Sequence, residues 1–206
     1  MKTKTSSSIS KFTAGYLALL ASAAVSHAAL INLVGNDGLG TSSFNSGANW
    51  AGSAAPSAGN DYNTAGFFMR TPGNTTTAYA FAGDSLTLGT NAGASGSMLE
   101  KFSSGSGSVR TLTINNLTNL LGAILRSGGT AGALIHIAGN HYTIAGNSGI
   151  WADQCIWVID APLLGGDSVI LTNFANNAND HVAYTGTNSG FTGSWHLTGA
   201  GTSAWT

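Results

Sequence analysis

Short runs in which apolar and polar residues alternate recur along the second half of the chain. They are "TLTINNL" from Thr111, "AILRSGG" from Ala123, "ALIHIAGN" from Ala133, "YTIAGN" from Tyr142, "CIWVIDAPL" from Cys155, "SVILTNF" from Ser168, "HVAYTG" from His181 and "FTGSWHL" from Phe191. Alternation with period two puts one set of side chains on each face of a strand, so Leu86 and Leu88, Leu112 and Ile114, and Ile135 and Ile137 are predicted to point inward. Thr and His fill the positions between them and face out. Each run ends in Gly or Asn, which tolerate the left-handed backbone of tight turns. The runs start roughly 8 to 14 residues apart, too close for the crossover helices of βαβ units. Two architectures survive: an antiparallel β-sandwich or barrel, and a parallel β-helix whose coils stack like rungs. The charge-poor outward positions suit stacked ladders, which favours the β-helix, although no strict repeat period is visible.

Upstream of this region the texture is looser. Residues 29–110 hold Gly/Ser/Asn-rich stretches around sparse strand signals such as "YAFAG" and "SLTLG", and are predicted to form an N-terminal cap with the first strands. Residues 111–206 form the strand-repeat region, expected to continue past the chain end. Composition supports an all-β chain: only 7% of residues are charged, there are 29 Gly and 3 Pro, and the helix formers Glu, Lys, Gln and Arg are scarce. A hydrophobic fraction of 43% excludes a disordered chain of low hydropathy and high charge.

Residues 1–28 carry the three marks of a signal peptide. Lys2, Lys4 and Lys11 form a positive start, Ala14 to Val25 an apolar run too short to span a bilayer, and Ser26 and Ala28 the small residues of a cleavage site. Cleavage is expected after Ala28, so the mature chain is read as secreted or displayed on the outer cell surface, with no transmembrane segment. It keeps four Lys and Arg against eight carboxylates, a formal charge of −4. An acidic chain without a basic cluster is not built for nucleic acid or an anionic membrane. Cys155 is the only cysteine, which excludes an intrachain disulfide; between hydrophobic neighbours it reads as a buried small residue.

The C-terminal "YTGTNSGFTGSWHLTGAG" resembles the autotransporter-associated β-strand repeat, with Asn188, Phe191, Thr192, Gly193, Leu197 and Gly199 in the characteristic places. "SSFNSGANWAGSAAPSAGND", through Asn49, Trp50, Pro56, Gly59 and Asp61, is similar to the opening segment of large exported bacterial repeat proteins of planctomycete and verrucomicrobial type. "FAGDSLTLG" at Phe81 to Gly89 fits the same group. The resemblance implies a right-handed parallel β-helix acting as an exported passenger. It carries over no catalytic or ligand residue.

Candidate chemistry is sparse, and no catalytic, cofactor-binding or metal-ligating residue and no cofactor is assigned. His136 and His141, five apart, share neither a strand nor a helix face and match no metal-ligand spacing. Asp153, Asp160 and Asp167 are spaced by sevens across Pro162 and a Gly pair, which places them in different turns as solvated residues without a basic partner. Asp180-His181 joins them as a possible acid-base element of a polysaccharide lyase or hydrolase. Gly165-Gly166-Asp167 is a single copy of a calcium-turn pattern and cannot build a stacked site. The Gly-rich runs lack the Lys and the following helix of a phosphate loop, and Asn74 and Asn116 match the glycosylation sequon. Trp50, Trp151, Trp157, Trp195 and Trp205 offer sugar-stacking surface or core, with Trp157 read as core. In "SGFTGSWHLTG" from Ser189, Phe191, Gly193, Trp195 and Leu197 are expected on one face of a single strand, Trp195 inward and His196 outward. The chain is therefore read as an exported, non-enzymatic structural and adhesive module, with extracellular polysaccharide or cell-surface components as partners. The competing reading is a carbohydrate-binding or carbohydrate-active β-helix.

Overall fold

The structure, a computed structural model, describes residues 28–73, 78–90, 96–101, 105–128 and 131–199. The expected signal peptide up to position 27, Asn74 and Trp205 lie outside the described residues.

Among the described residues every regular element is a β-strand. β1 (Ala29–Asn32) precedes a first coil of β2 (Asn60–Asn63), β3 (Phe68–Arg70) and β4 (Tyr79–Ala80). The second coil is β5 (Ser85–Leu88), β6 (Ser97–Glu100) and β7 (Val109–Thr113), and the third β8 (Asn116–Asn119), β9 (Ile124–Ser127) and β10 (Ala133–Ala138). A fourth follows as β11 (His141–Ile144), β12 (Ser148–Ala152) and β13 (Cys155–Ile159), then a fifth as β14 (Leu163–Gly165), β15 (Ile170–Ala175) and β16 (His181–Tyr184). β17 (Gly190–Phe191) and β18 (Ser194–Gly199) start another turn. Each strand pairs in parallel with its counterpart one coil on. The result is three sheets, of seven (β1-β2-β5-β8-β11-β14-β17), six (β3-β6-β9-β12-β15-β18) and five strands (β4-β7-β10-β13-β16). This is a β-solenoid of about five turns, and the antiparallel sandwich is set aside. β7 runs straight across residue 110, where the sequence texture changes, so coils lie on both sides of it.

The inward residues stack in register. Tyr62, Leu86, Leu117, Tyr142 and Leu163 form one column of the seven-stranded sheet. Met69, Met98, Leu125 and Ile150 form one in the six-stranded sheet, and Leu112, Ile137 and Ile159 one in the five-stranded sheet. All are buried, and each such side chain contributes roughly 1.5–3 kcal/mol by leaving water. Outward positions between them carry the polar partners: Asn63, Thr87, Thr118 and Thr143 make a ladder on the seven-stranded side.

The corners explain why sharp turns fall where Gly and Asn stand. A Cβ on Gly139 would lie 1.9 Å from the Ile114 carbonyl oxygen of the coil below, so this corner closes only on glycine. At the corner after β12, Gln154 takes a positive φ of 65°. It is held there by the buried Asp180 carboxylate one coil on, which accepts from the Gln154 amide at 3.0 Å, the Asn177 amide at 3.1 Å and the Asn177 side chain at 2.9 Å.

The two ends differ. At the first, the segment between β1 and β2 folds over the coil mouth: Trp50 packs edge-on against Tyr62 (ring centroids 4.8 Å apart) and Phe44 against Phe81 (5.4 Å). The Trp50 indole donates to the Ser43 carbonyl at 2.6 Å. At the other, the predicted single strand through 189–199 is two. The chain turns at Thr192-Gly193, because a Cβ on Gly193 would approach the Val169 carbonyl oxygen to 2.7 Å and only glycine lets the corner pass so close. Phe191 and Trp195 thus belong to different sheets yet both point inward, 4.7 Å apart at their ring centroids, and His196 faces out. Leu197, stacked on Asn173, is 39% exposed on the last rung among the described residues.

Candidate functional site

The six-stranded sheet has an outer side unlike the other two. In β12 the inward Ile150 forces its neighbours Gly149 and Trp151 outward, and the same alternation runs through β9 and β15. Parallel register then aligns two outward columns. One reads Arg70, Leu99, Arg126, Trp151, Phe174; the other Phe68, Ser97, Ile124, Gly149, Thr172, His196. Neighbouring rungs are about 4.8 Å apart, so side chains of one column touch. The Trp151 and Phe174 rings sit 6.1 Å apart, and the Arg126 guanidinium lies 4.5 Å over the Trp151 ring. Arg126 also pairs with Asp153 at 2.7 Å, and Asn176 donates to the same carboxylate at 3.0 Å.

Beside these rings Gly149 leaves a gap in the second column. The groove that results, about 320 Å³, is lined by Ile124, Ile170, Thr172, Phe174 and His196. The groove itself offers one aromatic ring, a hydroxyl and an imidazole around an apolar floor, and the Trp151 ring with the Arg126–Asp153 pair stands in the neighbouring column.

A second cavity, of about 450 Å³, opens at the other end of the same side, between the 40–42 segment, the 70–73 corner and Lys101. Behind it the Glu100 carboxylate and the Arg110 guanidinium form a fully buried pair at 2.8 Å. Thr71 donates its hydroxyl proton to Glu100, and Arg110 donates to the Pro72 carbonyl at 2.7 Å. Burial pushes the Glu100 carboxyl up to about 7, against the opposing pull of Arg110, the Thr71 hydroxyl and the Lys101 amide. Burial likewise lowers the Arg110 guanidinium from its ordinary range, against the pull of Glu100.

Comparison with family models, curated proteins and solved structures found no match.

The structure distributes the sequence candidates rather than gathering them. Asp153, Asp160 and Asp167 occupy three successive corners of the solenoid, after β12, β13 and β14, so they face different sides. Asp167 is exposed, as expected of a solvated turn residue. The other two correct that expectation, since both have basic partners: Asp153 pairs with Arg126, and Asp160 lies 2.7 Å from His136. Parallel stacking brings those partners from one coil away, a relation that adjacent sequence does not display. His136 and His141 fall in β10 and β11 of different sheets, and His181 faces out beside the buried Asp180. Among the described residues no three His, Cys, Asp or Glu side chains cluster as metal ligands. Cys155 is buried, with its thiol pushed up to about 12 by desolvation, and is inert as a nucleophile. Trp157 and Trp50 are core. Gly149 and Phe174 were not marked by sequence reasoning, and Arg126 appeared only as a charge. Their signal is their phase: each occupies an outward position in its alternating run.

Proposed function

We propose that the protein is an exported, non-enzymatic β-solenoid module of the cell surface or extracellular space, structural and adhesive in role. The observation that carries this reading is the unbroken in-register stacking of five coils, which repeats outward groups along each side at one-rung intervals. Repetition on a stiff scaffold suits multivalent contact, in which weak interactions gain through effective concentration. The resemblance of the β17–β18 segment to an exported-passenger repeat supports the same reading, as does the signal-peptide pattern of residues 1–28. No helix among the described residues is long and apolar enough to cross a membrane.

A second reading, carbohydrate binding, is favoured by one observation: Trp151 and Phe174 place adjacent aromatic side chains on the outer side, with Arg126 over the Trp151 ring, Asp153 paired to Arg126, and the Gly149 groove beside them. Flat aromatic faces stack on the C–H faces of pyranose rings while flanking polar groups take the hydroxyls. The two readings are compatible if this side is the adhesive one. The dispersal of Asp153, Asp160 and Asp167 over three corners gives a lyase or hydrolase no comparable support. The test is retention of the purified protein on insoluble neutral polysaccharides and on bacterial cell walls, run beside an assay for release of reducing or unsaturated sugar ends. Retention without turnover is expected; turnover overturns the non-enzymatic reading, and absence of retention on every surface overturns the adhesive one.

A further inference from the structure

We propose that the cavity between the N-terminal cap and the first two coils binds a carboxylated sugar, with Arg70 and Lys101 taking the carboxylate. Past residue 28 the chain has four cations, and two of them, Arg70 and Lys101, line this one cavity of about 450 Å³. That volume lies in the range of roughly 300–1,000 Å³ usual for small-molecule sites.

The nearby carboxylates offset only part of this charge. Asp37 is buried and spends its oxygens on the Ser43 amide (2.8 Å) and hydroxyl (2.6 Å), the Asn49 side chain (2.7 Å) and the Arg70 amide (2.7 Å). Glu100 is paired with Arg110 behind the cavity wall. Arg70 uses Nε on the Asp37 carbonyl at 3.0 Å. Its terminal nitrogens, and Lys101 Nζ, have no acceptor among the described residues, so an anion entering the cavity meets a positive excess.

The remaining polar groups say what else the ligand carries. Thr41 donates its hydroxyl proton to the Gly38 carbonyl at 3.0 Å, Ser42 to the Arg70 carbonyl at 2.9 Å, and Thr71 to Glu100. The Thr41 and Ser42 oxygens at the lining keep lone pairs free to accept, whereas the buried Thr71 oxygen already takes the Lys101 amide at 3.0 Å. A bare sulfate or phosphate dianion brings only acceptors and leaves these groups unmatched, whereas a uronic acid brings a carboxylate for the cations and hydroxyl donors for the oxygens. Arg70 also heads the outward column that leads through Arg126 to Trp151 and Phe174, so a sugar held here lies at one end of the aromatic side.

The inference rests on the carbohydrate-contacting reading of that side for its partner class, and the two fail separately. Isothermal titration of the whole chain with D-glucuronate, glucose and inorganic sulfate at matched ionic strength tests it. Saturable glucuronate binding is expected, at least ~10-fold tighter than glucose or sulfate, the factor that one charge-assisted hydrogen bond supplies. Lys101→Gln is expected to weaken it by a similar ~10-fold, Arg70→Lys to retain part of it, and Gly166→Ala, at a distant exposed corner, to leave it unchanged. No saturable glucuronate binding, equal affinity for sulfate, or indifference to Lys101→Gln overturns the proposal. Loss of neutral-polymer retention with glucuronate binding intact overturns only the aromatic-side reading.

Discussion

Trp151 and Phe174 stand on consecutive rungs of one outward column, Cα partners in register although a whole coil of chain separates them, with ring centroids 6.1 Å apart. Both are only half-buried, so neither is needed to fill the solenoid interior. Replacing them together by Ala is expected to lower retention on polysaccharide at least ~10-fold, the loss of about 1.4 kcal/mol of contact. The urea midpoint should move little. Retention assays paired with denaturation curves check this, and a collapse of stability without a specific loss of binding speaks against an adhesive role for the pair.

Glu100 gives the fold a pH dependence of defined sign. A carboxyl that titrates ordinarily near 4.5 and at about 7 in the fold holds its proton more tightly folded than unfolded. Stability is therefore greatest in this respect below pH 4.5, falls as pH rises to about 7, and is level above. The full effect is on the order of 3 kcal/mol. Glu100→Gln removes it, so the difference between the two proteins' urea-unfolding free energies should change across that window and be flat outside it.

Two glycines make a paired test of the corners. Gly139→Ala drives a Cβ into the Ile114 carbonyl and is expected to cost about 1–3 kcal/mol, while Gly166→Ala, with no atom within 4 Å of the added carbon, should stay within about 0.5 kcal/mol of the parent. Thermal or urea denaturation separates the two.

Much of the fold was legible from period-two alternation and Gly/Asn punctuation, because both report local geometry. Leu112 and Ile114, Ile135 and Ile137, and Leu86 and Leu88 are all buried as the alternation required. What was not legible is which rung lies on which. Leu117 stacks on Tyr142 and Tyr142 on Leu163, advances of 25 and then 21 residues, while Tyr79 stacks on Leu112, 33 residues on. With coil length varying so much no repeat period appears, and so neither do the relations that depend on it. Arg126 over Trp151, Asp153 beside Arg126, and the Gly149 gap are all of that kind. Glu100 and Arg110 are close in sequence, but their pairing needs β6 and β7 of different sheets to converge, which no local pattern announces. The break at Thr192-Gly193 was missed because a corner glycine and a strand glycine look the same in a short alternating run.

Trp50 closes the first end of the solenoid through Tyr62, Phe81 and the Ser43 carbonyl. Trp50→Ala is expected to destabilise by about 3–5 kcal/mol, as for other fully buried aromatic truncations. Hydrogen exchange should show amides of β2 and β5 losing protection before those of β10 and β13. Uniform loss across all coils would mean that the plug is not a local cap.

The unequal coils have a consequence for how such a chain changes over generations. In each sheet the inward columns keep their register while the turns between strands absorb every difference in length. Insertions and deletions are thus partitioned: a residue added at a longer corner such as that after β14 or β16 lengthens a bulge, whereas one added inside a strand turns its side chains inside out. The molecule is a frame with fixed slots and elastic joints, and new surface can be grafted at the joints without rewriting the frame.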